Sequence, residues 1–331
     1  MKKITVIMPV FNKEKYVEVS IKSILNQSLR EFEFIIIDDG SVDKSGTICD
    51  KFAEKDNRIK VIHIKNSGVS NARNIGLDMA EGQYITFIDA DDKIDIEYLR
   101  NLYDCIRTSK ADIVISGYKK IWEESDRIEP GKMNVHGLVN MVDILPRFAE
   151  WQKESGIFGY CWAKIFPREL CKDIYFDTSL RLAEDFDFYL KLYRKIKTIY
   201  FDDAQNYLYL QEAENSSVAK NDYDIDYMAQ LKINLRYKEF LEYKNVFCDS
   251  NKRILTEIIS NYFYFSLFYC DMSQFKNVFQ KIYSIYKEIK IEFVTENIFS
   301  KWLLFLLKNN REREIKYSIK FYRAIKKCIR I

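Results

Sequence analysis

The first 88 residues alternate between short apolar runs of β-strand character and amphipathic runs of helical spacing. The predicted strands are Ile4–Met8, Phe32–Ile37, Ile59–Ile64 and Tyr84–Ile88. The predicted helices are Tyr16–Gln27, Ser45–Lys55, Ser70–Ala80 and about Ile96 to Arg107. Because parallel strands need crossover connections, this alternation favours an α/β fold with a mostly parallel central sheet and helices on both faces.

Three carboxylates follow the fourth predicted strand directly. Asp89 and Asp91 are two residues apart, so in an extended chain they point to the same side. Carboxylates in this arrangement can hold Mg²⁺ or Mn²⁺ together with diphosphate and water oxygens. The alternative is that Asp91 and Asp92 cap the following helix, where acids are stabilising.

The loops after the four strands are polar, and we expect them to converge on one crevice. They contain Pro9, Asp39, Asn66 and Asp89, and ligands of parallel sheets bind beyond the carboxyl ends of the strands. A nucleotide fits chemically, because Asp39 can accept from a pyrimidine imide N–H and Arg73 can pair with a phosphate or carboxylate. An ordinary strand-ending turn is the alternative for Asp39. The sequence has no glycine-rich phosphate loop, so a metal and side chains must meet the diphosphate charge.

Four motifs in this order resemble those of family 2 glycosyltransferases with the GT-A fold: Met8–Asn12, Ile37–Ser41, Ser67–Gly76 and Asp89–Asp92. The resemblance covers roughly residues 1–220. It implies an inverting transferase that uses a nucleotide-diphosphate sugar and Mn²⁺ or Mg²⁺. The donor-binding residues it implies are Pro9, Phe11, Asp39, Asn66, Arg73, Asp89 and Ala90, and the metal ligands it implies are Asp89 and Asp91. Asp38 and Asp92 would be supporting neighbours.

Two later motifs, Trp162-x-Lys164 and Glu184-Asp185, continue the resemblance. By pattern alone, the two acids cap the helix that they begin. The resemblance implies instead that Asp185 is the catalytic base and that Trp162, Lys164 and Glu184 lie on the acceptor side. We expect a carboxylate at a helix N-terminus to stay ionised, which suits a base.

Leu210 stands where the resemblance leads us to expect an Arg that contacts the donor phosphates. Lys220 or another basic group would have to supply this charge. Upstream of it, residues 122–137 are polar and contain Pro130 and Gly131. This composition predicts a mobile loop.

The last third of the chain is helical by pattern and more basic than the rest. Residues 221–331 contain 20 Lys or Arg against 13 Asp or Glu. Ten Phe or Tyr within residues 261–286 favour helix packing or a homo-oligomer interface over a sugar-stacking platform.

The end of the chain has the pattern of a basic amphipathic helix. Residues 308–331 carry nine Lys or Arg against two Glu. The apolar stripe is Ile315, Ile319, Tyr322, Ile325 and Ile329. We predict peripheral membrane contact through residues 301–331. The alternative is that the stripe packs on the aromatic helices of residues 261–286, in the same chain or a second subunit. Nucleic acid is not a predicted partner, because no nucleic-acid module is present.

Composition places the chain in the cytoplasm. It is 47% hydrophobic and 31% charged, and its seven cysteines form no CxxC pair, which is typical of a globular protein in a reducing compartment. Residues 1–8 are too short for a signal-peptide core, and no run of about 18 uncharged apolar residues occurs. The Lys-rich, Ile-rich and Pro-poor composition suggests a bacterium, and we expect the protein at the inner face of the cell membrane.

The predicted organisation is a transferase domain at residues 1–220, with a nucleotide half (1–110) and an acceptor half (111–220), followed by a helical region at 221–331. The predicted reaction moves a hexosyl or N-acetylhexosaminyl group from a UDP-sugar to a hydroxyl of a glycan, polymer or lipid-linked acceptor, in envelope polysaccharide synthesis. One alternative is a degenerate homologue that acts as a scaffold. Another is a sugar-phosphate nucleotidyltransferase, although Pro9–Lys13 is not the Gly-rich loop expected after its first strand.

Overall fold

The computed structural model describes residues 2–122, 127–131, 133, 135–211, 226–289, 293 and 298–329, without the side chains of 299 and 324–329. The chain divides into two compact units, Met1–Ser216 and Ser217–Ile331. Each unit is described by itself. The domain boundaries near residues 110 and 220 stay predictions.

The first unit is built on a mixed sheet covered by helices. Its strands are β1 (Ile4–Val10), β2 (Phe32–Asp38), β3 (Ile59–His63), β4 (Tyr84–Phe87), β5 (Lys93–Ile94), β6 (Ile113–Trp122), β7 (Ile128–Pro130), β8 (Gly137–Asn140), β9 (Lys164–Pro167) and β10 (Thr198–Gln211). Its helices are α1 (Val17–Leu25), α2 (Ser45–Ala53), α3 (Val69–Met79), α4 (Tyr98–Ser109), α5 (Met141–Ile144), α6 (Phe148–Ser155) and α7 (Glu184–Tyr193).

The four predicted strands form the parallel half of this sheet. The order across the sheet is β3-β2-β1-β4-β9-β6-β10-β5, and β1 to β4 pair in parallel. All seven residues of β2 are buried, as expected for a strand covered on both faces. The predicted α/β class with a mostly parallel central sheet and a C-terminal helical region is therefore confirmed.

The second half of the sheet contains pairings that the sequence pattern did not predict. Strand β9 lies antiparallel between β4 and β6. Strand β7 pairs antiparallel with β6, so part of residues 122–137 is strand rather than the predicted loop. Residues 123–126, 132 and 134 lie outside the described part of the chain.

The second unit is helical in its described residues. Its helices are α8 (Tyr227–Tyr243), α9 (Asp249–Tyr269), α10 (Phe275–Glu288), α11 (Ile298–Lys308) and α12 (Glu312–Ile329). Helix α9 packs against α8, α10, α11 and α12. Phe263, Phe275 and Phe279 are buried, so these members of the aromatic segment serve helix packing. A subunit contact through this unit stays a prediction.

The apolar stripe of α12 packs inside the second unit over its first turns. Ile315 and Ile319 are buried, and α12 contacts α9 and α10. The Arg323 guanidinium donates to the carbonyls of Phe268 and Cys270 at the end of α9. For Ile315 and Ile319 the structure therefore agrees with the alternative, in which the stripe packs on the aromatic helices of the same chain; membrane contact through residues 301–331 stays a prediction. Among the described helices, none has the length and apolar character needed to cross a membrane.

Candidate active site

A cavity of about 470 Å³ opens beyond the carboxyl ends of β1, β2 and β4. Its lining residues are Pro9, Val10, Phe11, Lys13, Asp39, Asn66, Gly68, Val69, Arg73, Asp89, Ala90, Asp91 and Glu184. Every residue predicted to bind the donor or the metal is in this set. The sequence analysis missed Lys13, although its place in the loop after the first strand puts it at the same edge of the sheet.

Asp39 holds the loop that leads into α3. Its Oδ1 accepts from the Ser67 N–H at 2.7 Å and its Oδ2 from the Gly68 N–H at 2.8 Å. Asp38, the residue before Asp39, closes the turn after β2, because its Oδ1 accepts from the Ser41 N–H at 3.1 Å. Asp38 therefore stabilises the strand-ending turn. Asp39 faces the cavity and retains lone pairs for one more donor.

Gly40 allows the β2 and β3 loops to approach closely. Its φ is +73°, and a Cβ there would come within 2.6 Å of the Asn66 backbone nitrogen. Only glycine meets both demands without strain. This approach places Asn66 at the cavity wall. On the opposite loop, Phe11 is 44% exposed and offers an aromatic face to a planar ligand.

Arg73 ties the end of β4 to the start of α7. Its guanidinium donates to Asp89 Oδ1 at 3.2 Å and to Glu184 Oε1 at 2.9 Å, and its side chain is 6% exposed. Burial raises the pKa of Asp89, and Arg73 opposes this rise. The two ion pairs use Nη1 and Nη2, and the buried Nε–H has no hydrogen-bond partner among the described residues.

Asp91 and Lys13 form an ion pair at the mouth of the cavity. Lys13 Nζ lies 2.5 Å from Asp91 Oδ2, and the two side chains are 32% and 28% exposed. The Asp91 carboxylate therefore already binds a cationic group, the Lys13 ammonium. Helix α4 begins at Tyr98 with Glu97 at its N-cap, so the capping alternative for Asp91 does not hold.

Asp92 is buried and binds β10. Its Oδ2 accepts from the Tyr207 hydroxyl at 2.5 Å and its Oδ1 from the Leu210 N–H at 2.9 Å. Burial and the neighbouring acids raise the pKa of Asp92 well above its ordinary value. Asp92 thus fixes the segment after β4 that contains Asp91. The helix-capping alternative does not hold for Asp92 either. The Leu210 side chain is buried and carries no charge, and Lys220 lies outside the described residues.

Trp162 and Lys164, the residues predicted to lie on the acceptor side, are buried in the structure, and their acceptor-side role stays a prediction. Trp162 stacks between Tyr160 and Tyr207, with ring centroids 4.5 Å and 4.8 Å away. Lys164 is 1% exposed, and its ammonium donates to the Tyr160 carbonyl. Burial lowers the pKa of Lys164 to about 7. Aromatic rings cover Trp162, and the Lys164 ammonium lies over the ring of Tyr189 on α7.

Asp185 lies in the first turn of α7, beside Glu184 and outside the set of cavity-lining residues. Burial, and then repulsion by Glu184, raise the pKa of Asp185 to about 7. Desolvation therefore acts against the ionised form that the helix N-terminus was expected to favour. A carboxylate with this pKa is suited to proton transfer near neutral pH. Glu184 is not a cap, since it pairs with Arg73.

A crevice at the carboxyl edge of a parallel sheet is the position at which α/β folds bind nucleotides. Residues 5–175 match the family described as Glycosyl transferase family 2. The uncharacterized glycosyltransferase EpsJ of Bacillus subtilis is 34% identical over 218 residues, which cover 64% of this chain and 62% of that protein. The minor teichoic acid biosynthesis protein GgaB of Bacillus subtilis is 34% identical over 185 residues, 55% of this chain and 20% of that protein.

Among solved structures, S. aureus TarS 1–349 in complex with UDP-GlcNAc superposes with a TM-score of 0.67 at 24% identity, covering 97% of this chain and 92% of that one. This likeness shows a shared fold. The chain belongs to glycosyl transferase family 2, which confirms the resemblance found in the sequence. It spans less than two thirds of the length of the two curated relatives.

Proposed function

We propose that this family member transfers a sugar from a UDP-sugar to a hydroxyl of a glycan, polymer or lipid-linked acceptor, with inversion at the anomeric carbon. The proposal rests on one observation. Asp39, Asn66, Asp89 and Asp91 line the same cavity at the carboxyl edge of the sheet. The UDP-GlcNAc complex of TarS supports a UDP-sugar donor. The name of GgaB supports a cell-wall polymer as acceptor.

The residues at the end of β4 fit a divalent metal, Mn²⁺ or Mg²⁺. Asp91 already accepts the ammonium of Lys13 as a stand-in cation, and Asp89 faces the same cavity. Among the described residues, no group of three His, Cys, Asp or Glu side chains forms a closed metal site. Asp89 and Asp91 would therefore hold the ion, with the remaining oxygens from diphosphate and water. When bound, the ion would offset the charge of the departing diphosphate.

Asp185 would act as the general base. The acceptor oxygen forms the new bond to the anomeric carbon as the bond from that carbon to the diphosphate breaks, and the hydroxyl proton moves to Asp185. A raised pKa keeps Asp185 basic enough to accept this proton near neutral pH. One displacement with one base inverts the configuration.

Two alternatives from the sequence are weaker. Membership of glycosyl transferase family 2 speaks against a sugar-phosphate nucleotidyltransferase. A degenerate scaffold has no need of a carboxylate whose burial raises its pKa to about 7, and such shifts concentrate at functional sites. Donor hydrolysis distinguishes the proposed transferase from a scaffold, because a scaffold would hydrolyse no donor.

Donor choice is the direct test of the proposal. We expect one of UDP-glucose, UDP-galactose, UDP-GlcNAc and UDP-GalNAc, with Mn²⁺, to raise the melting temperature by about 5 °C at 100 times its Kd, which corresponds to about 2.7 kcal/mol. The same donor should be hydrolysed slowly in the absence of acceptor. The proposal fails if none of the four shifts melting at millimolar concentration and none is hydrolysed.

We further propose that the outer face of α12 meets an anionic membrane surface and brings the site to a lipid-linked acceptor. Arg313, Tyr317, Lys320 and Phe321 are exposed at helical spacing. Tyr317 is 72% and Phe321 64% exposed. Such a face combines aromatic contact at the headgroup level with attraction to anionic lipid. It replaces the buried Ile315 and Ile319 as the candidate contact.

Vesicle sedimentation tests this surface. Arg313→Glu/Lys320→Glu should weaken binding to phosphatidylglycerol vesicles by about 30-fold or more, since each basic residue contributes about 1 kcal/mol near an anionic leaflet. Lys276→Glu/Lys281→Glu on α10 changes the net charge equally and should bind like wild type. Equal losses in both double variants, or no binding by the wild type at low salt, would exclude a specific face.

A further inference from the structure

Lys13 is the cavity residue that neither the motifs nor the proposed chemistry account for. It lies in the loop between β1 and α1, and its Nζ is 2.5 Å from Asp91 Oδ2. The backbone of this loop is pinned to the start of α2, because the Lys13 N–H donates to Ser45 Oγ at 2.7 Å and the Asn12 N–H to Ser41 Oγ at 3.0 Å. The Lys13 side chain therefore extends into the cavity from a backbone segment that is held in place.

The charges around the cavity are mainly negative. Its lining includes Asp39, Asp89, Asp91 and Glu184, and the cations of the same lining are Lys13 and Arg73. Arg73 is buried and bound to two of these acids, as described above. A diphosphate brings further negative charge, so it needs a cation that can leave its present partner.

Strand β10 does not supply this cation in its described part. Leu210 has an apolar side chain at the position where an arginine was expected, and its N–H is taken by Asp92. Lys13 is different, because its ion pair with Asp91 is solvent-accessible on both sides. A partly exposed pair is easier to open than a buried one, because water can solvate the two charges when they separate.

We infer that Lys13 is the diphosphate-binding cation of this chain and that it changes partner during donor binding. Without donor it neutralises Asp91. With a divalent ion held at Asp89 and Asp91, the Lys13 ammonium would be released from Asp91 and would pair with the diphosphate of the donor. The inference rests on the proposed function. It predicts that Lys13 opposes the metal alone and favours the nucleotide, so the metal and UDP should bind with positive coupling.

The test compares Lys13→Met with Lys15→Met, a matched variant at an exposed lysine two positions along the loop. Mn²⁺ alone is titrated by electron paramagnetic resonance, and UDP is titrated by calorimetry at saturating Mn²⁺. Lys13→Met should bind Mn²⁺ alone about 3-fold more tightly, because a competing cation is gone. It should bind UDP about 10-fold or more weakly, the scale of a lost charge-assisted hydrogen bond. Lys15→Met should match wild type in both titrations, and Lys13→Arg should restore most of the UDP affinity.

Opposite signs in the two titrations are the signature that a merely structural lysine would not produce. The inference is overturned if Lys13→Met binds both ligands like wild type, or if both affinities fall together. In either case wild-type binding of UDP with Mn²⁺ leaves the proposed function standing. Absence of UDP binding by the wild-type protein would instead overturn the proposed function, and the inference with it.

Discussion

Asp185→Asn is expected to lose sugar transfer by about 10²-fold or more while keeping its affinity for the UDP-sugar within a few-fold. Removing a general base costs about 10² to 10⁴ in rate. The donor cavity does not include Asp185, so ground-state binding of the donor should survive the change. Steady-state transfer and calorimetric UDP titration measure the two quantities on the same preparation.

The pH dependence gives Asp185 an independent signature. Its pKa is raised from 3.8 to about 7, and only the ionised form can accept the proton. The wild-type kcat/KM should therefore fall about tenfold per pH unit below pH 7 and level off above it. In Asp185→Asn the residual kcat/KM should not fall in this way below pH 7.

Stability separates the base from a helix cap. The folded state binds a proton on Asp185 that the unfolded chain releases near pH 3.8, so this group's stabilisation is full below that pH and declines as pH rises through about 7. At pH 8 Asp185→Asn should melt at or above the wild-type temperature. Asp104→Asn, at a carboxylate that is 49% exposed on α4, is the matched control. Normal turnover with earlier melting would make Asp185 a cap and move the base elsewhere.

Asp91→Asn is expected to reduce turnover by about 10³-fold or more and to abolish the dependence of donor binding on metal. The amide keeps the shape of the side chain but loses the charge that holds a hard cation, and metal stabilisation of a leaving diphosphate is worth several kcal/mol. Mn²⁺ titration of donor binding, followed by transfer assays, measures both effects. The Asp104→Asn control should bind Mn²⁺ and donor normally.

EDTA is the complementary experiment for the wild-type protein. Chelation should bring wild-type transfer down to the level of Asp91→Asn, and added Mn²⁺ or Mg²⁺ should restore it in wild type alone. Undiminished transfer in EDTA would show that the carboxylates at the end of β4 do not act through a metal. The fold should be unaffected in either case, since Asp91 is partly exposed and pairs with a surface lysine.

The sequence predicted the donor half of the site because its geometry follows from local rules. Strands at Ile4–Met8, Phe32–Ile37 and Tyr84–Ile88 end in polar residues, and parallel pairing brings those ends to one edge. The GT-A resemblance supplied the residues predicted to bind the donor, and each of them lines the same cavity. Helix boundaries shifted by only a few residues, as for α4, which begins at Tyr98.

The sequence could not show which side chains are buried by distant parts of the chain. Trp162 and Lys164 have polar or amphipathic side chains, and the sequence does not show that Tyr207 and Tyr189 would cover them. The pKa of Asp185 depends on the same burial. Lys13 was missed because its ion pair with Asp91 spans 78 positions, and the motif in this loop ends at Asn12.

The hydrogen bond between Asp92 and Tyr207 limits how this chain can be divided into fragments. The two residues are 115 positions apart, so the strand end that carries Asp91 is completed only when β10 has paired. A fragment that stops near residue 110 would keep the four motifs but would lack the Tyr207 hydroxyl and the Leu210 N–H that hold Asp92 in place. The nucleotide half is therefore not an exchangeable module, and chimaeras joined between β4 and β10 should exchange both strands together.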